Sequence, residues 1–206
     1  MPIKSDREYR SIPVFNIERR DEGEAPSFFV EGYASTFDTY LLFEDPDGTK
    51  YQEHIDPHAF DNCDMSDVVF QRDHSGPVYA RTSNGSIKVS IDGHGLHQRA
   101  DLGRTSGARQ MFEDIQAGMY TQMSFAFTVD RSSIEYDRQN NTFTRQILSV
   151  RKLYDVSAVS FPANPYTDIG VSARSLFDGA IEEQAEERRR VELELAKAKY
   201  LYQEAE

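Results

Sequence analysis

Read for alternation, the stretch Met119 to Asp130 places Met123, Phe125, Phe127 and Val129 on one side of a strand and Gln122, Ser124, Ala126 and Thr128 on the other. Ser124 is thus expected as a small hydroxyl on the polar, open face of a strand whose reverse is strongly apolar. Gly118 reads as the stop of a preceding helix, in which Ala108, Met111, Phe112 and Ile115 recur at helical spacing after a cap at Thr105 or Ser106. Further period-two segments are Ile12 to Ile17, Ser27 to Phe37, Asp67 to His74, Val78 to Thr82, Ile87 to Ile91, Gly95 to Asp101, Phe143 to Tyr154 and Tyr154 to Phe161. Asn84-Gly85 and Asn140-Asn141 read as hairpin turns, Glu44 to Gly48 as an acidic loop, and Asp56-Pro57 as the capped start of a short helix. Residues 1–10 read as polar and loose. Many short strands at this spacing predict a mainly β chain with α (α+β), an antiparallel barrel or sandwich with a few flanking helices.

The pattern changes near residue 174. Residues 174–206 hold six basic and nine acidic side chains, with no Gly or Pro after Gly179. Val191, Leu195, Ala198 and Tyr202 form a narrow seam at coiled-coil spacing. The expected division is a β domain over 1–173 and a charged helical tail over 174–206. The tail is either a merely solvated helix or a segment for partner binding or self-association.

Charge and composition narrow the class. Asp+Glu 35 against Lys+Arg 23 leaves a net charge of −12, which disfavours nucleic acid and anionic membrane as partners, since both need clustered cations. One cysteine, Cys63, excludes an internal disulfide and fits a reducing compartment. No apolar run approaches the roughly 18 residues of a membrane span, and the N-terminus lacks the features of a signal peptide, so the protein is expected to be soluble and intracellular. His54 and His58 are separated by the helix-breaking Pro57, and His94 and His97 fall on opposite faces of a strand, so no metal site and no cofactor are expected.

Two residues join Ser124 as candidates for chemistry. His74 stands where a strand gives way to Ser75-Gly76-Pro77, a position suited to a general base. Asp155 is a carboxylate inside a β run that is apolar on both faces, where an imidazole N–H would satisfy it. The chain order His74, Ser124, Asp155 matches neither the chymotrypsin, the subtilisin nor the α/β-hydrolase order, and no G-x-S-x-G surrounds Ser124.

The blocks Ile55-Asp56-Pro57-His58-Ala59-Phe60, Val69 to His74, Gly118 to Phe127 and Leu153 to Ala163 resemble the successive motifs of the HK97-type phage prohead (capsid maturation) serine proteases. The resemblance spans about residues 28–170 and implies a β-barrel of the herpesvirus-assemblin type. It implies a serine endopeptidase with Ser124 as nucleophile, His74 as base and Asp155 in a third position that commonly carries Glu. Its implied substrates are scaffold and major capsid precursor proteins within the immature shell (prohead) in the host cytoplasm, with self-processing and a homodimer as open expectations. The loop Ser160 to Pro165, just after the strand that carries Asp155, is the candidate source of oxyanion donors, through a backbone N–H such as that of Ala163 or the Asn164 amide. The competing reading is a non-catalytic capsid or scaffold assembly protein that binds partners through its C-terminal helix.

Overall fold

The computed structural model describes residues 7–12, 28–160 and 175–203. Its centre is a pair of long strands, β9 (Gln122–Asp137) and β10 (Thr142–Val159), joined by a turn in which Asn141 takes φ 48°. The short amide side chain tolerates that left-handed conformation. The segments read as two strands, Phe143 to Tyr154 and Tyr154 to Phe161, are thus one continuous β10 within the described residues.

The other strands are arranged around this pair. β1 (Glu8–Ile12) pairs antiparallel with β9, and β3 (Tyr40–Glu44) with β4 (Lys50–Ile55). β10 is shared along its length: its first part runs parallel to β4 and its last part parallel to β5 (Val69–Arg72), which forms a hairpin with β6 (Ser75–Arg81). A second sheet contains β2 (Phe29–Thr36), β8 (Gly95–Asp101) and β7 (Ile87–Ile91), in the order β2-β8-β7. Helix α1 spans Ser106–Gln116, and α2 spans Asp178–Gln203.

The α+β class holds, but the barrel does not. Among the described residues the chain forms one mixed sheet of seven strands and one of three, neither closed on itself. Because β10 has β4 beside one half and β5 beside the other, the large sheet branches instead of curling round to meet its own edge. Parallel pairing of β10 with β4 and β5 also corrects the expectation of a wholly antiparallel sheet.

The core lies where the apolar face of β9 meets the second sheet. Met123, Phe125 and Phe127 pack with Val30, Ala34, Leu96 and Ala100, and α1 adds Ala108, Met111, Phe112 and Ile115. The Thr105 hydroxyl caps α1 by accepting the Ala108 N–H at 3.1 Å. The helix closes through Gly118 at φ 77°, whose N–H reaches the Ile115 carbonyl while Met119 N–H reaches that of Asp114. That left-handed ending delivers the chain directly into β9.

Several local expectations give way to the tertiary structure. Residues 57–62 form turns instead of a helix, although Asp56 does accept the His58 N–H at 2.8 Å. Thr82–Asn84 form a 3-10 turn closed by Gly85 at φ 70°, and it carries the chain from one sheet to the other instead of making a hairpin. β3 and β4 flank the acidic segment that reads only as a loop, and β1 begins within residues taken as loose. The expected strand Ile12 to Ile17 lies, beyond Ile12, outside the described residues.

The start of the tail is stitched to the large sheet. Phe177 is fully buried among Leu42, Phe43, Tyr51 and Phe143, and Arg188 donates to the Tyr136 hydroxyl at 2.8 Å. Val191, Leu195 and Ala198 remain exposed. Phe177→Ala should therefore lower unfolding stability by about 3–5 kcal/mol, the usual cost of emptying a phenylalanine site. Chemical denaturation checks this: a loss under about 1 kcal/mol would mean the tail root is not part of this packing unit.

Candidate active site

Three elements converge on the face of β9 opposite the core. Ser124 lies directly across from Ser157 on β10, so the two side chains share that face. Asp155 joins them because of a β-bulge. Leu153 faces Phe127 on the core side, yet Asp155, two residues later, stands opposite Ala126 on the other side. Simple alternation would return Asp155 to the core face; the extra residue, Tyr154, turns it over.

His74 arrives from the tip of the β5–β6 hairpin. Asp73 and His74 form its two-residue turn, with φ 47° and 55°, both left-handed and neither glycine. Paired positive φ values suit the twist of a tight hairpin but strain non-glycine residues. The strain is offset by anchoring: Asp73 Oδ1 accepts from the Ser160 N–H at 2.9 Å and hydroxyl at 3.0 Å, and Asp73 N–H donates to the Ala158 carbonyl at 3.1 Å. The turn is thereby pinned to the end of β10, and the imidazole extends over Ser124.

The three predicted side chains are brought together. His74 Nδ1 lies 2.6 Å from Asp155 Oδ1, and its Nε2 lies 2.6 Å from Ser124 Oγ. Asp155 is 2 % exposed and also accepts from the Ser157 hydroxyl at 2.7 Å, so two donors compensate its buried charge. The His74 side chain is 16 % exposed and has the Tyr9 ring edge-on to it at 4.7 Å. A nucleophile, a base within hydrogen-bond reach and a carboxylate orienting that base are the parts needed for hydroxyl activation.

Ser124 departs from expectation in one respect. It is fully buried, not presented to an open surface, and its hydroxyl lies 2.7 Å from the carbonyl oxygen of Arg10 on β1. Arg10 and Ser157 carry no sequence sign comparable to that of His74. Ser157 could have been found from its position two residues after Asp155 on one strand, whereas Arg10 could not. Ala163 and Asn164 lie outside the described residues.

A buried ion-pair network secures β1 beside the site. Arg10 donates to both Glu53 carboxylate oxygens at 2.6 and 2.8 Å and to Glu8 at 2.6 Å, and Arg145 bridges Glu8 at 2.6 and 3.0 Å and Glu53 at 3.0 Å. Burial pushes the Glu8 carboxyl upward, but hydrogen bonds and charges from Arg145 and Arg10 outweigh it and hold it below the ordinary range. A carboxyl lowered in this way stabilises the fold above its unfolded value and loses that contribution as pH falls through the lower, folded one.

Cys63 takes no part in the hydrogen bonds that join Asp155, His74 and Ser124. Burial, opposed by a backbone hydrogen bond from Leu153, pushes its thiol up to about 11, against an ordinary value of 9.0. Two units leave about a hundredfold less thiolate at pH 8, so iodoacetamide should alkylate Cys63 about a hundredfold more slowly than an exposed thiol, and peptidase activity should persist. Mass spectrometry during the reaction checks both; inactivation that tracks Cys63 alkylation would count against a serine mechanism. Among the described residues no three His, Cys, Asp or Glu side chains converge as a metal site, and no helix is long and apolar enough to cross a membrane.

An imidazole linking a buried carboxylate to a serine, carried on sheet strands and a hairpin tip, is the arrangement of a serine hydrolase. The family model of the caudovirus prohead serine proteases matches residues 15–180, and the chain belongs to that family. It is a serine peptidase of phage capsid maturation. No curated protein and no solved structure matches the chain.

Proposed function

We propose that the chain cleaves scaffold and major capsid precursor proteins inside the prohead through an acyl-enzyme on Ser124. His74 takes the hydroxyl proton as Oγ attacks the scissile carbonyl, then delivers it to the leaving amine. Asp155 keeps the imidazole in the tautomer that leaves Nε2 free to accept, and stabilises the imidazolium as it forms. The observation carrying this reading is the unbroken chain Asp155–His74–Ser124, with both links at 2.6 Å between residues far apart in sequence. For the oxyanion we propose a backbone N–H at Ala163 or the Asn164 side chain, on the grounds that the chain leaves β10 at Val159 just before them.

The division of the chain is proposed along the same lines. Residues up to the root of α2 form the peptidase, and the exposed part of α2 tethers it to a scaffold or capsid helix through Val191, Leu195 and Ala198. Self-processing would act on the chain's own ends.

The test of the chemistry is a fluorophosphonate probe followed by mass spectrometry of the tryptic peptides. The adduct is expected on Ser124 and should be absent from Ser124→Ala. An adduct on another serine, with cleavage of capsid precursor lost in step, would overturn the assignment.

A further inference from the structure

The nucleophile proposed above is fully buried in the folded chain, so a substrate can reach it only after some element moves. Of the elements around it, β9 carries Ser124, β10 carries Asp155, and the β5–β6 hairpin carries His74. β1 supplies no side chain to that trio, yet its Arg10 carbonyl takes the hydroxyl at 2.7 Å and its Tyr9 ring lies against His74. Among the described residues β1 is also one of the two end strands of the order β1-β9-β10-β4-β3, with β9 as its hydrogen-bonded neighbour. Among the described elements around Ser124, it is the one that can leave without removing Ser124, His74 or Asp155.

The hydrogen bonds at Ser124 indicate a resting arrangement. A hydroxyl has one proton, while Arg10 O and His74 Nε2 lie at 2.7 and 2.6 Å. When the proton is donated to Arg10 O, it is not directed at Nε2, where the base must take it. With β1 in place the Arg10 carbonyl therefore competes with His74 for the hydroxyl proton.

We infer that the β9 edge now held by β1 is the substrate-binding edge, that β1 occupies it in the resting enzyme, and that it selects an extended peptide with an acidic residue two positions before a basic one. This inference rests on the proposed role of Ser124. Departure of β1 bares the N–H and C=O groups of β9, a ready template for an incoming strand. It also removes Glu8 and Arg10, leaving the fully buried Glu53 carboxylate and the Arg145 guanidinium with fewer partners. Glu53 and Arg145 keep each other at 3.0 Å and Glu53 keeps the Tyr40 hydroxyl, but each loses its partner from β1, so a replacing strand is favoured when it returns a cation to Glu53 and an anion to Arg145. Glu8-Tyr9-Arg10 is itself that pattern.

The experiment uses ¹⁵N-labelled full-length Ser124→Ala protein and two synthetic peptides, one with the sequence Asp6 to Pro13 and one with its glutamate and arginine at positions 8 and 10 exchanged. The first should speed hydrogen exchange of the protein's own Glu8–Ile12 amides at least fivefold, and the exchanged peptide should need at least tenfold more concentration for the same effect. Equal responses to the two peptides, or unaltered β1 exchange with either, overturn the inference. In the second arm, full-length Arg10→Gln with intact Ser124 should react with the fluorophosphonate probe at least tenfold faster than wild type. A folded variant that reacts at the wild-type rate or more slowly overturns it; should that variant not fold, the exchange arm decides. If the peptide displaces β1 as expected but neither wild type nor the Arg10 variant is labelled at Ser124, the acyl-enzyme reading fails and the displacement stands.

Discussion

Ser124→Ala should abolish cleavage of a capsid-precursor peptide while leaving the protein folded. Removing the serine of a Ser-His-Asp unit elsewhere lowers kcat by about 10⁶, close to 8 kcal/mol of barrier. The structural cost should be small by comparison. Ser124 lies on the face of β9 away from the Met123, Phe125 and Phe127 packing, so loss of its oxygen opens no hole in the main core. What is lost is its hydrogen bonding to Arg10 O and His74 Nε2, about 1 kcal/mol. Rates of peptide hydrolysis and a urea midpoint separate the two effects. More than a few per cent of wild-type cleavage in a folded variant would remove Ser124 from the chemistry.

Asp155→Asn should cost about 10⁴ in kcat, the effect of the corresponding change in a chymotrypsin-type enzyme. The amide can donate toward Nδ1, which favours the tautomer with its proton on Nε2, where the Ser124 proton must go. The buried site accentuates the change, because Asp155 is 2 % exposed and its other contact is the Ser157 hydroxyl. His74→Ala should be as damaging as Ser124→Ala, and the double variant should add little to either single one, as expected for groups acting in one step. A rate within tenfold of wild type for Asp155→Asn would give the orienting role to another residue. Multiplicative losses in the double variant would show that His74 and Ser124 do not act together.

The candidate positions were legible in the sequence because each is a reactive group set against its local pattern. His74 ends a strand beside a Ser-Gly-Pro turn, Asp155 interrupts an apolar run, and Ser124 stands among alternating large apolar residues. Helix α1 was legible for the opposite reason, since Thr105, the Ala108, Met111, Phe112 and Ile115 spacing, and Gly118 all agree. β3 and β4 were not, because their residues flank an acidic turn and take strand form only through pairing with each other and with β10. The closed barrel likewise rested on strand number, which does not say which edges meet.

What the sequence determines by itself is local: alternation, helical spacing, caps and turn chemistry act over a few residues, and they suffice for the α+β class and for three chemically marked positions. The tertiary structure decided the rest, because register and burial depend on residues distant in the chain. A single extra residue at Tyr154 turns Asp155 from the core face to the face of Ser124, a shift visible only in the pairing of β10 with β9. Ser124 is covered because Arg10, 114 residues away, brings its carbonyl to the hydroxyl. β1 can lie there because Glu53 and Arg145, on two other strands, share the burial of its charges. No local pattern around residues 8–12 encodes that, since the partners that make the strand stable lie in β4, β9 and β10.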